Sequence, residues 1–374
     1  MVDPRFLHPL GPLGMVDSVK GRRFGRGVDV TIAVPPGHTG RDALVREVSD
    51  AASRAAGGPA DVTVRMMEDA EVSALRARLL ELGRPASAAS GAKGAGGVEV
   101  GTVKGPGRVN PFMEKASTTR VLGISSGKGG VGKSSVTVNL AVAMARLGHS
   151  VGLLDADVYG FSVPKMLGAT DEPIVVDGLL VPPVAYGVRC MSMGFVVEDD
   201  QPVVWRGPLL HKALEQFLVD VHWGRPDFLI VDMPPGTGDV ALSMAQYLPR
   251  AELFVVTTPQ AAAERVAQRS AIMGRQLKLP VRGVIENMSY FTGDDGKRYE
   301  LFGSGGGESL ASTLGVALLA RIPFVPAVRE GGDTGKPVAA ADPESEAGAA
   351  FGRLAEAIVG MGPARVYRSE LSVR

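Results

Sequence analysis

Between Val121 and Leu147 an apolar run (Val121, Leu122, Ile124) meets the loop Gly127-Lys128-Gly129-Gly130-Val131-Gly132-Lys133-Ser134, and a helical pattern (Val136, Leu140, Ala143, Met144, Leu147) follows at once. Such a succession predicts a strand that stops at Ser125, a sharp turn, and an amphipathic helix starting near Lys133. Glycines supply the positive backbone angles and the close approach that the turn needs. Their amides and the helix N-terminus then form a concave array of donors suited to the β and γ phosphates of a nucleoside triphosphate. Lys133 adds a full positive charge, and the Ser134 hydroxyl is the expected magnesium ligand. The expected ATP site is therefore Gly127, Lys128, Gly129, Gly130, Val131, Gly132, Lys133, Ser134 and the adjoining Ser135.

Further along, near-continuous apolar runs at Arg120 to Ile124, Val151 to Leu154, Asp227 to Val231, Glu252 to Val256 and Val281 to Glu286 alternate with helical patterns. Runs of this kind belong to parallel strands covered on both faces, and right-handed crossovers then give an α/β fold with a doubly wound, mostly parallel sheet. Phosphate chemistry falls at the C-terminal ends of such strands. Two runs end there in acids, at Asp155-Ala156-Asp157 and at Asp232. Asp232 is placed to hold magnesium together with Ser134, and Asp157 to orient the attacking water or a magnesium-bound water. Asp155 has either an accompanying role or that of a turn cap. Thr237, Gly238 and Asp239 read as a mobile loop that senses the γ phosphate.

The 374 residues are 45% hydrophobic and 21% charged, enough for one large core and a smaller one. A small α+β unit is expected at residues 1–83, with a strand at Val28 to Val34, a helix at Arg41 to Ala55, a strand at Asp61 to Met66 and a helix at Glu68 to Leu82. Residues 84–117 read as a flexible linker, 118–361 as the nucleotide-binding domain and 362–374 as a tail. Forty basic and forty acidic residues cancel, so no global field favours nucleic acid or an anionic membrane. Neither partner is expected, and the absence of a leader pattern or a spanning apolar stretch gives a cytoplasmic reading. Five scattered histidines show no metal-ligand spacing, and Cys190 is the only cysteine.

Several motifs carry a resemblance. Lys128-Gly-Gly-Val-Gly-Lys-Ser, Asp155-Ala-Asp-Val-Tyr-Gly, Trp205-Arg-Gly-Pro, Val231-Asp-Met-Pro-Pro-Gly-Thr-Gly-Asp, Thr257-Thr-Pro-Gln, Val284-Ile-Glu-Asn-Met-Ser-Tyr and Phe302-Gly-Ser-Gly-Gly-Gly together resemble the Mrp/ApbC family. These are iron-sulfur cluster carrier ATPases of the deviant Walker A P-loop class, related to MinD and ParA. The likeness covers about Thr118 to Gly360. It implies a homodimer in which Lys128 reaches across to the partner's nucleotide and completes the catalytic set of Lys128, Lys133, Asp157 and Asp232. By the same resemblance Asn287 reads the adenine edge and the segment around Pro323 lines the base. The N-terminal unit is similar to the small domain often fused to this family, with Pro35-Pro36-Gly37-His38-Thr39 where such domains often carry a cysteine.

One element of the pattern is missing. Where the family usually places a Cys-x-x-Cys, this chain has Thr292-Gly293-Asp294-Asp295-Gly296-Lys297-Arg298, which reads as a hairpin turn. Cys190 lies in an apolar strand-like run and is expected to be buried, so the ligands of any iron-sulfur cluster remain unidentified. The Gly303 to Gly307 run is a turn into a helix near Glu308, because Glu308 occupies the last glycine position of a dinucleotide fingerprint. Three readings stand: a magnesium-ATP-driven cluster carrier that serves client apoproteins, an ATPase scaffold for assembly factors that holds no cluster, and a positioning ATPase on DNA or membrane. Against the last, the final helical pattern (Ala350, Phe351, Leu354, Ile358) suits packing on the sheet.

Overall fold

The computed structural model describes residues 1–22, 27–83, 110–114, 116–157, 160–195, 207–235, 239–260, 268, 272 and 274–364. Most of the expected linker (84–109 and 115), the tail from 365, Thr237 and Gly238, and Trp205 and Arg206 of the family motif lie outside the described residues. Two compact units emerge: Met1–Val98 with Asp171–Val184 and Asp220–Arg225, and Glu99–Thr170 with Ala185–Val219 and Pro226–Arg374.

All five apolar runs form strands of one eight-stranded sheet. Its order is Val184–Ala185, Val188–Ser192, Val151–Asp155, Phe228–Asp232, Arg120–Ser126, Glu252–Thr257, Val281–Glu286, Ala317–Arg321. From Val188–Ser192 to Ala317–Arg321 each neighbouring pair is parallel. Leu122, Ile124, Leu153, Ile230 and Val255 are wholly buried, as strands covered on both faces require. Arg120–Ser126 sits in the middle, and the chain builds first on one side of it and then on the other. The crevice at this switch point opens beyond Ser126 and Asp232.

The glycine loop leads into the helix Lys133–Arg146, which is buried on nearly all sides from Val136 to Met144. Leu147 does not belong to its apolar stripe: it caps the helix and is 44% exposed. The helix Glu346–Gly360 packs on it through Ala350, Phe351, Leu354 and Ile358, all buried. Among the described residues no helix is long and apolar enough to cross a membrane.

In the other unit, Val28–Val34 pairs antiparallel with Val16–Gly21 and parallel with Ala60–Met66. The helices Arg41–Ala56 and Asp69–Leu82 cover it, the second opened by a capping box between Glu68 and Glu71. A hairpin of Ile174–Val176 and Leu179–Val181 belongs to this unit, although it lies within 118–361 in sequence. Ile174, Val176, Leu179 and Val181 share one apolar cluster with Ile32, Leu75 and Leu79.

Candidate functional site

The loop after Arg120–Ser126 takes the conformation that its glycines allow. Gly130 and Gly132 have φ of 79° and 77°, and a Cβ on Gly132 would stand 2.3 Å from Asn287 Nδ2. The helix begins at the next residue, so Lys133 and Ser134 rise from its first turn. Asp232, wholly buried at the end of Phe228–Asp232, gathers three side chains. Lys133 Nζ donates to its Oδ2 at 2.7 Å, Ser134 Oγ donates to the same oxygen at 2.6 Å, and Thr137 Oγ1 reaches its Oδ1 at 2.7 Å. Asp157 Oδ2 lies 3.7 Å from Lys133 Nζ. The structure thus brings Lys133, Ser134, Asp157 and Asp232 together. Thr137 was missed by sequence reasoning, although its place four residues after Lys133 sets it on the same helical face. A hydroxyl and a carboxylate in contact are hard oxygen donors, the kind that magnesium takes beside water and phosphate.

Parallel register sets the acids side by side. Ser192 pairs with Asp155, and Asp155 with Asp232. Burial, and then the charge of Asp232, pushes the Asp155 carboxyl up to about 8, so it keeps its proton at neutral pH. Its oxygens are occupied by the Ser192 hydroxyl at 3.0 Å and by the Asp157 amide at 3.1 Å.

On the rim, Lys128 Nζ donates to Gln260 Oε1 at 3.3 Å, which ties the Thr257-Thr-Pro-Gln260 motif to the loop. Asn287 is buried, and its Nδ2 donates to Val131 O at 2.9 Å. That amide braces the loop from beneath. Pro323 is buried in a segment that runs beside Ser289 and Tyr290, through bonds from Ser289 N to Ile322 O and from Phe324 N to Tyr290 O. The glycine run turns into the helix Gly306–Leu314, whose N-terminus is met by Glu286: Gly307 N donates to Glu286 Oε2 at 2.7 Å. A Cβ on Gly307 would stand 2.7 Å from that carboxylate, which explains a glycine there.

Cys190 lies on Val188–Ser192, wholly buried, and burial followed by the charge of Asp155 raises its thiol well above the ordinary range. The Asp-Asp-Gly segment is a hairpin, with Phe291–Thr292 paired to Arg298–Tyr299. His38 and His211 are bound locally, to Asp3 at 3.1 Å and Ser243 at 2.8 Å. Among the described residues no group of three or more His, Cys, Asp or Glu is placed to hold a metal ion.

Residues 117–359 match the family model described as ParA, NUBPL iron-transfer P-loop NTPase. A Mycobacterium tuberculosis protein named iron-sulfur cluster carrier protein is 41% identical over 368 residues, covering 96% of this chain and 90% of its own. Among solved structures, a nucleotide-binding protein from Archaeoglobus fulgidus in complex with ADP is 35% identical over 58% of this chain and 86% of its own, with a TM-score of 0.51. The Pyrococcus furiosus cell division ATPase MinD is 26% identical over 65% of this chain and 99% of its own, with a TM-score of 0.52.

Proposed function

The chain belongs to the ParA-type family of NUBPL iron-transfer P-loop NTPases, and from that premise we propose that it is a homodimeric, magnesium-dependent ATPase whose cycle carries iron-sulfur clusters to apoproteins in the cytoplasm. One observation supports the ATPase most: Lys133 and Ser134 converge on the buried Asp232 at the end of a central strand, directly below the glycine loop. In this reading Lys133 exchanges a carboxylate partner for the β and γ phosphates, while Ser134 and Asp232 hold magnesium. Magnesium held there would supply the charge that neutralises the phosphates. Asp157 orients the attacking water, and Lys128 reaches the nucleotide of the second copy. Asn287 and Pro323 border the adenine.

Turnover by the isolated protein is expected to be slow, in the range of intrinsic switch GTPases at roughly 10⁻⁴ to 10⁻² per second. Binding and hydrolysis of magnesium-ATP by the full chain test the proposal. Lys133→Ala should lose both, and Lys128→Ala should bind normally but not hydrolyse. Equal turnover by the Lys128 variant removes the trans-acting lysine, and absence of nucleotide binding by the native chain removes the whole reading.

A scaffold that holds no cluster is the second reading, and Cys190 favours it. A cluster draws on about four thiolates, whereas this chain has one, buried in the central sheet. Anaerobic reconstitution separates the two. Cluster absorbance with stoichiometric iron supports the carrier, and its absence in a sample that hydrolyses ATP supports the scaffold.

A further inference from the structure

We propose that Ser192 is a positioning residue for the ATPase reaction, acting through Asp155 to set where Asp157 stands. The inference rests on the ATPase reading above. Ser192 ends Val188–Ser192, wholly buried, in register with Asp155. Its hydroxyl bonds Asp155 Oδ2 at 3.0 Å and accepts the Gly194 amide at 3.1 Å. Engaged on one side by the Asp155 carboxyl and on the other by the Gly194 amide, the hydroxyl is held between two partners. Asp155 Oδ1 accepts the Asp157 amide at 3.1 Å. A continuous line of bonds therefore runs from Gly194 through Ser192 and Asp155 to the backbone of Asp157, whose carboxylate lies 3.7 Å from Lys133 Nζ.

Asp155 itself is wholly buried, beside Leu154, Met193, Leu214, Phe217 and Val240. It acts on the reaction through the Asp157 amide. Ser192 brings a hydroxyl, not an apolar side chain, to a strand whose Cys190 already belongs to the apolar core. What it adds is direction. Misplacing a catalytic group by about 1 Å lowers turnover by up to about a hundredfold, so a hydroxyl that fixes Asp155 bears directly on rate.

The test compares Ser192→Ala and Ser192→Thr in the full chain, with two readouts. In magnesium-ATP turnover the alanine variant should lose about tenfold in kcat with nucleotide affinity unchanged within about twofold, and threonine, which keeps the hydroxyl, should restore kcat. In nucleotide-free protein, hydrogen exchange of peptides containing Asp157 and Gly194 should quicken about fivefold in the alanine variant, as expected for a lost bond worth about 1 kcal/mol, and slow again with threonine. Unchanged exchange, unchanged kcat, a defect that threonine does not repair, or an equal loss of affinity overturns the proposal. Native protein without turnover refutes the ATPase reading and with it a role in rate. The exchange result still decides whether Ser192 holds the Asp157 backbone.

Discussion

Asp232 shows how one buried carboxylate organises a site. With the side chain wholly buried, its charge is tolerable only because Lys133, Ser134 and Thr137 surround it. Lys133→Ala should therefore destabilise the nucleotide-free protein by about 3 kcal/mol in chemical denaturation, besides abolishing protection by ATP. In the native chain, ATP at a hundred times its dissociation constant should add about 2.7 kcal/mol. A variant as stable as the native protein would show that Asp232 needs no cation. Asp155 gives a pH signature of opposite sign to a salt-bridged acid. Its carboxyl is raised from 3.8 to about 8 by burial and then by Asp232, so the native state holds a proton that the unfolded chain releases. Stability should fall as pH rises across that window and level off above it. Asp155→Asn should flatten the fall in melts taken from pH 5 to 9, and an unchanged slope would contradict the assignment.

At the scale of elements, the loop is held by a neighbour distant in sequence. Asn287 Nδ2 donates to Val131 O across a separation of 156 residues, and Gly132 leaves the space for it. Asn287→Ala should weaken ATP and inorganic tripolyphosphate alike, by about fivefold for a bond worth about 1 kcal/mol. Calorimetry checks this, and loss confined to ATP would leave Asn287 as a base reader alone. The central strands were legible because continuous apolar runs carry their own signal. Ala317–Arg321 was not, since its short edge reads exposed at both ends and Ala-Leu-Leu-Ala suits a helix equally. The Ile174–Val181 hairpin was also missed, although Asp177-Gly178, with φ of 48° and 77°, is the turn pair that such strands favour.

For the molecule as a whole, the unit built around Val28–Val34 and the helices Arg41–Ala56 and Asp69–Leu82 draws part of its core from residues 171–184. Removing residues 1–83 should uncover Ile174, Val176, Leu179 and Val181, and so raise the binding of an apolar dye and lower the melting temperature. Unchanged dye binding would mean that these side chains find other cover. Sequence by itself determined the phosphate loop, the parallel strands and the acids at their ends, because each is a local pattern of a few residues. The buried lone thiol and the Asp-Asp-Gly hairpin were legible for the same reason. Only the tertiary structure decided which groups meet: Lys133 with Asp232 across 99 residues, Ser192 with Asp155 across 37, Asn287 with Val131 across 156. Register between strands and the path of the crossovers make those meetings, and neither is written in any one segment.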